Sequence, residues 1–376
     1  MRLTIEKSRL VQCVSLISKG MSSHSTIPVL SGIHINAATD GVIFETSDLE
    51  ISVRHIEDAM IERTGATVVS GRLFTDIVKS LPEAAVTLET KDDKLNISAQ
   101  ETLFSIATMS AEDFPQFPTI IATRSVQLKV EQLTKMVKKV IRAVSRDVSR
   151  AVLTGIFFKV GKTDTMMVAT DSYRLAITSA TQTKAEDKGE DKEDFELIVP
   201  GTLLDEVCRT AADEEKITIG ESENQIIIIF GSTTFIARKI EGNYPNYNQI
   251  IPTQKNLTAT IETELLLGAV RRVSIVAKNS SPIRLVFHND AQLLEVTAQT
   301  QDIGQASESI PAQIDGEGFE IGFNHQYILD GLAVVDTEEI TFEAQTPLKP
   351  GIFKTVDAST DTSSYFYLTM PVRLER

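Results

Sequence analysis

The sequence predicts an α+β fold: three copies of one domain, each made of helices and antiparallel sheet. Three recurring markers predict it. A turn leading into a strand appears as Ile27–Ile35, Arg150–Val160 and Ser281–Phe287, with Pro28, Ala151 and Pro282 spaced 123 and 131 residues apart. A strand running into a helix through glycine recurs at Gly71, Gly201 and Gly322, 130 and 121 apart. The strand after that helix starts at Val86, Ile217 and Ile340, 131 and 123 apart. A period near 125 is far longer than a solenoid unit, so the repeat is a whole domain. Proline-containing junctions place the three domains at residues 1–122, 123–252 and 253–376.

Each copy opens with an amphipathic helix. Leu10, Cys13, Val14 and Ile17 recur at helical spacing in the first copy. Leu133, Val137, Val140, Ile141 and Val144 do so in the second, and Leu266, Ala269, Val270, Val273 and Ala277 in the third. Alternating or apolar strands follow, punctuated by turns such as Asp40-Gly41 and Asn289-Asp290. Residues 181–194 hold a single apolar residue, Ala185, and read as a solvated acidic loop.

The 376 residues carry a net charge of −15, which argues against a generally basic nucleic-acid-binding surface. No apolar run is long enough for a membrane span, and the charged N-terminus is unlike a signal peptide. Cys13 and Cys208 lie in apolar helical patterns and read as buried free thiols, which suits a cytoplasmic location. No HExxH, CxxC, GxSxG or phosphate-binding glycine motif occurs, so neither a metal nor a cofactor is expected. Asp171 could be offered as a catalytic acid beside Arg174, at an interdomain cleft. A side-chain cap on a turn is the simpler role for it.

The cations are unevenly placed. Lys135, Lys138 and Arg142 lie on the polar face of the second opening helix, flanked by Lys139 and continued by Arg146 and Arg150. The third copy places Arg271, Arg272 and Lys278 on its helix, and the first has Lys7, Arg9, Lys19 and Arg72 on or beside its two helices. A basic helical face shared by related domains fits a sequence-independent phosphate surface. Tryptophan is absent and no aromatic residues are interleaved, which favours duplex over single strand.

Specific segments then carry a resemblance. IPVLSGI (27–33), EDFPQFP (112–118), RAVLTGI (150–156), ATDSYRLA (169–176), YPNY (244–247) and YLTMPVRL (367–374) occur in this order. With the threefold repeat, they make the chain resemble the bacterial DNA polymerase III beta subunit family, the sliding clamps, over its full length. The resemblance implies a non-catalytic processivity factor that closes as a head-to-tail homodimeric ring around double-stranded DNA. Helices would line the hole and sheets form the outside. It implies a nucleoid-associated cytoplasmic protein whose partners are the polymerase III alpha subunit, the clamp loader, other polymerases and repair proteins. These would dock short hydrophobic peptides in a cleft that looks like Leu153, Thr170, Ser172, Tyr173, Arg174, Leu175, Pro245, Ile250, Leu368, Met370, Pro371, Val372 and Arg373. Arg174 and Arg373 are expected at its rim. His24 stands near a DNA-contacting loop position of the family, and Ser172-Tyr173 replaces a common Gly-His. Phe104 and Ile106 would face Ile275 and Val276 across the dimer contact, with Ile275 on the helix face of Arg271 and Lys278.

Overall fold

In a computed structural model, the structure describes residues 1–22, 27–181, 194–277, 281–301, 303–355 and 364–374. His24, Lys278 and most of the acidic loop lie outside the described residues. The chain forms two compact units, one of residues 1–130 with 209–239, the other of residues 131–208 with 240–376.

The first unit holds a thirteen-stranded antiparallel sheet. Helices α1 (Lys7–Ile17) and α2 (Gly71–Ser80) belong to it and pack on one another. Leu10, Cys13, Val14 and Ile17 of α1 are all buried, as their spacing predicts. The sheet runs across a repeat boundary: Thr233–Arg238 of the second repeat pairs with Ile51–Glu57 of the first, Phe235 opposite Val53.

The second unit holds antiparallel sheets of nine and four strands. Its helices are α3 (Val130–Val140), α4 (Gly201–Thr210), α5 (Thr263–Val273) and α6 (His325–Leu332). The bounding residues Val130, Arg209 and Thr210 group with the first unit. A second repeat boundary is bridged in the same way. Ser364–Thr369 of the third repeat pairs with Arg174–Thr181 of the second, Leu368 opposite Leu175.

Two strands lack the partner that the repeat pattern gives their counterparts. Gly304–Pro311, which stands in the third repeat where Ile51–Glu57 and Arg174–Thr181 stand in the others, pairs only with Leu293–Thr300. Thr102–Met109, the last strand of the first repeat, pairs fully with Lys94–Ala99 but touches its other neighbour only through Val68 and Val69.

Three sequence expectations change. Gly71 and Gly201 begin helices, but Gly322 lies inside the strand Glu320–Phe323. Helix α6 starts three residues later at His325, where the Asn324 carboxamide oxygen accepts from the Gln326 amide at 2.9 Å. Gly322 serves the C-terminal tail instead: a Cβ there would lie 2.5 Å from a methyl of Leu374. The second opening helix ends at Val140, and Ile141–Ala143 is a single 3-10 turn. Ile275 is not on the face of α5. The helix ends at Val273, and Ile275 projects from the following turn, 79% exposed.

Candidate functional site: a peptide cleft and a basic helix

The turn at Thr170–Arg174 is built by its own side chains. The Asp171 carboxylate accepts from the backbone amides of Tyr173 at 2.9 Å and Arg174 at 3.0 Å. That is the turn cap expected of it. The Thr170 hydroxyl donates to the Arg174 carbonyl at 2.7 Å. Ser172 is forced to φ 78°, a left-handed conformation that a side chain tolerates poorly. The first repeat has the same device: Asp48 accepts from the amides of Glu50 and Ile51, and Leu49 has φ 75°. Asp171 thus corresponds to Asp48, and Arg174 stands where the first repeat has Ile51.

That replacement gives Arg174 a buried role and corrects its placement at the rim. Its side chain is 11% exposed, bonded to Asp171 at 3.0 Å and to Asp330 of α6 at 2.6 Å. The guanidinium lies 4.4 Å from the Tyr327 ring centre. Burial works against its charge, but Tyr367, Asp330 and Asp171 outweigh burial and hold its pKa above the ordinary value. Arg174 anchors the turn from beneath, whereas Arg373 is exposed.

Next to this turn in the chain begins an apolar cluster. Val168, Leu175, Ile352 and Leu368 form a buried cluster, joined by the partly buried Phe157, Met166, Ile177 and Phe366. Tyr244, Tyr247 and Ile251 of the interrepeat connector pack on the same cluster. Tyr244 stacks on Phe157 with ring centres 5.2 Å apart. The Met370 amide donates to the Tyr173 carbonyl at 2.9 Å, tying the C-terminal segment to the turn. The Val372 amide donates to Gly322 at 2.8 Å. Tyr173 is 60% exposed and Met370 40%. Pro245, Ile250 and Val372 are also exposed, and Pro371 is half-buried.

Of the cleft residues expected from sequence, Leu175 and Leu368 therefore meet directly, with Thr170, Ser172, Tyr173 and Met370 around them. Leu153 is buried in the preceding 3-10 segment, outside that cluster. Sequence reading missed Phe157, Val168, Ile352 and the two tyrosines. Tyr244 and Tyr247 were visible in the YPNY motif, but nothing local to it says which strand face it covers.

The basic stripe is narrower than expected. Lys138, Arg142 and Arg146 are exposed and form no ion pair among the described residues, as are Arg72 and Arg271. Lys135 is exposed but pairs with Glu131, one helical turn back, at 2.7 Å. Arg150 bonds Asp147 at 3.1 Å and the Ser172 hydroxyl at 2.9 Å, so it belongs to the cleft turn. Lys139 does not face outward at all. It sits three residues after Met136 and four before Ala143, both fully buried, so the 3.6-residue repeat turns it inward. It is 3% exposed and pairs with Asp336 at 3.2 Å. At the expected dimer contact, Phe104 is half-buried and Ile106 is 8% exposed, whereas Leu103 is 68% exposed. Alternation along Thr102–Met109 sends Ile106 into its own domain and leaves Leu103 outside.

Comparison with known proteins agrees with this architecture. The profiles of the DNA polymerase III beta subunit match in three parts: the N-terminal domain at residues 1–118, the central domain at 127–246 and the C-terminal domain at 248–373. The beta sliding clamp of Bacillus subtilis is 31% identical over 99% of this chain and 100% of its own length. A crystal structure of the DNA polymerase sliding clamp from Bacillus subtilis superposes with TM-score 0.92 at 31% identity, covering 100% of both chains. A sliding clamp from Pseudomonas aeruginosa, bound to griselimycin, gives TM-score 0.89 at 26% identity, again over 100% of both chains. Three repeated α+β domains of this kind are those of the sliding clamps, processivity factors of DNA replication. The chain belongs to the DNA polymerase III beta subunit family, the beta sliding clamps.

Proposed function

We propose that two copies of this chain close head to tail around duplex DNA and tether the replicative polymerase and other cleft-binding proteins during replication in the cytoplasm. The observation that carries this reading is the end-to-end match to sliding clamps. The domain divisions near residues 122 and 252 go with it.

The repeat pattern supports the mode of closure. Within the chain, each repeat offers the same edge strand to the last strand of the next. Two such strands remain, Gly304–Pro311 and Thr102–Met109, and pairing them between copies continues the series. Leu103, Phe104, Ile275 and Val276 would then lie at the contact. Lys138, Arg142, Arg146, Arg72 and Arg271 would face DNA, where unpaired cations give salt-sensitive contact without base reading. Short peptides with hydrophobic anchors would dock between the exposed Tyr173 and Met370, over the buried cluster of Leu175 and Leu368. A primer-extension assay with the cognate polymerase tests the reading. Added protein should lengthen the products of a single binding event. Unchanged lengths in the presence of a clamp loader would contradict it.

A further inference from the structure

A cluster in the first domain lies apart from the cleft residues and the basic helix described above. Cys13 on α1 and His55 and Glu57 on the strand Ile51–Glu57 bring one sulfur, one nitrogen and one oxygen within 4.8 Å of one another. We propose that these three side chains bind a divalent transition-metal ion, zinc by preference, pinning α1 to that strand.

The distances support a metal centre. His55 Nε2 lies 3.4 Å from Glu57 Oε2, and Cys13 Sγ lies 3.8 Å from the same oxygen. Tetrahedral zinc, with bonds of about 2.0–2.1 Å to nitrogen and oxygen and about 2.3 Å to sulfur, sets ligand separations of about 3.4 Å for N···O and about 3.6 Å for S···O. Both separations lie within about 0.2 Å of those values, and the third pair, Cys13 Sγ and His55, lies within 4.8 Å, so metal binding would draw the sulfur and the imidazole together. A soft thiolate, an imidazole and one carboxylate suit zinc or cobalt, and not magnesium or calcium.

Outer contacts already aim the donors. The other imidazole nitrogen, His55 Nδ1, lies 2.9 Å from the hydroxyl of the buried Thr233. That contact fixes the ring and leaves Nε2 for the metal. Glu57 Oε1 accepts from Arg9 at 3.0 Å and from the Asp58 amide at 3.2 Å, which presents Oε2 to Cys13 and His55. An open groove of about 550 Å³ is lined by Arg9, which bonds Glu57, and by Asp58, the next residue in the chain. A water molecule would complete the coordination as a fourth ligand. On binding, the Cys13 thiol releases its proton to solvent as the sulfur–metal bond forms.

The test is titration of the metal-free full-length protein with Co²⁺, followed by competition with Zn²⁺. Wild type and Cys208→Ser should bind one equivalent with a thiolate-to-cobalt charge-transfer band that Zn²⁺ abolishes. Cys13→Ala should lose the band. His55→Gln should weaken binding at least tenfold with unchanged circular dichroism, and Thr233→Val should weaken it about 10- to 100-fold. No band in folded wild type, or a band that survives Cys13→Ala or His55→Gln, would overturn the assignment.

Discussion

Replacing Arg174 by alanine tests whether the cleft turn is held from beneath. The guanidinium joins Asp171 and Asp330, whose side chains are only 14% and 12% exposed. Removing one partner of a buried ion pair costs about 3–5 kcal/mol, because the remaining charge is stranded. Asp171 keeps two backbone donors and Asp330 keeps Gln326, which places the cost at the lower end, about 3 kcal/mol. The surrounding unit has about 215 residues. In a body of that size each kcal/mol shifts the melting temperature by about 2–4 °C, so Arg174→Ala should lower it by about 6–12 °C. Calorimetry of the full chain reads this directly. Adding Asp330→Asn should restore part of the loss, since it neutralises one stranded carboxylate. A single variant melting within about 2 °C of wild type would refute the anchoring role.

Three further outcomes follow from the same contacts. Burial alone would raise the Glu45 carboxyl, but hydrogen bonds from His34 and Arg54 outweigh it and hold its pKa below the ordinary value. Its stabilisation is therefore present above the unfolded pKa of about 4.3 and is lost as pH falls through the lower folded value. Urea midpoints measured between pH 5 and pH 3, roughly bracketing that window, should fall more steeply in wild type than in Glu45→Gln. Replacing Lys138, Arg142 and Arg146 by alanine should reduce the salt dependence of duplex binding by about 0.9 in log–log slope per cation, whereas Lys139→Ala should lower stability and leave the slope alone. Tyr173→Ala with Met370→Ala should weaken polymerase-peptide binding at least about tenfold without changing the melting temperature, because both side chains are exposed. Leu175→Ala, at 0% exposure, should instead cost about 2–5 kcal/mol of stability.

Periodicity made the opening helices legible, because Leu10, Cys13, Val14 and Ile17 have to share one face. The repeat was legible for the same reason: each copy must bury the same pattern. What stayed hidden depends on partners far along the chain. Lys139 reads as one more surface lysine until Asp336, 197 residues away, is seen to receive it. Arg174 reads as a rim cation until Asp330, 156 residues away, closes over it. Gly322 looked like a helix-initiating glycine because it follows a strand as Gly71 and Gly201 do, yet its role is set by Leu374. Cys13 was legible as a buried thiol, but strand alternation alone does not tell that His55 and Glu57 meet it.

On the proposed function, the protein holds DNA by surrounding it. Labelled protein is loaded onto nicked circular DNA by a clamp loader, and one restriction cut then linearises the circle. A ring around DNA should stay on the circle through repeated washing and be lost rapidly once free ends appear. Equal retention on circular and linear DNA would contradict it.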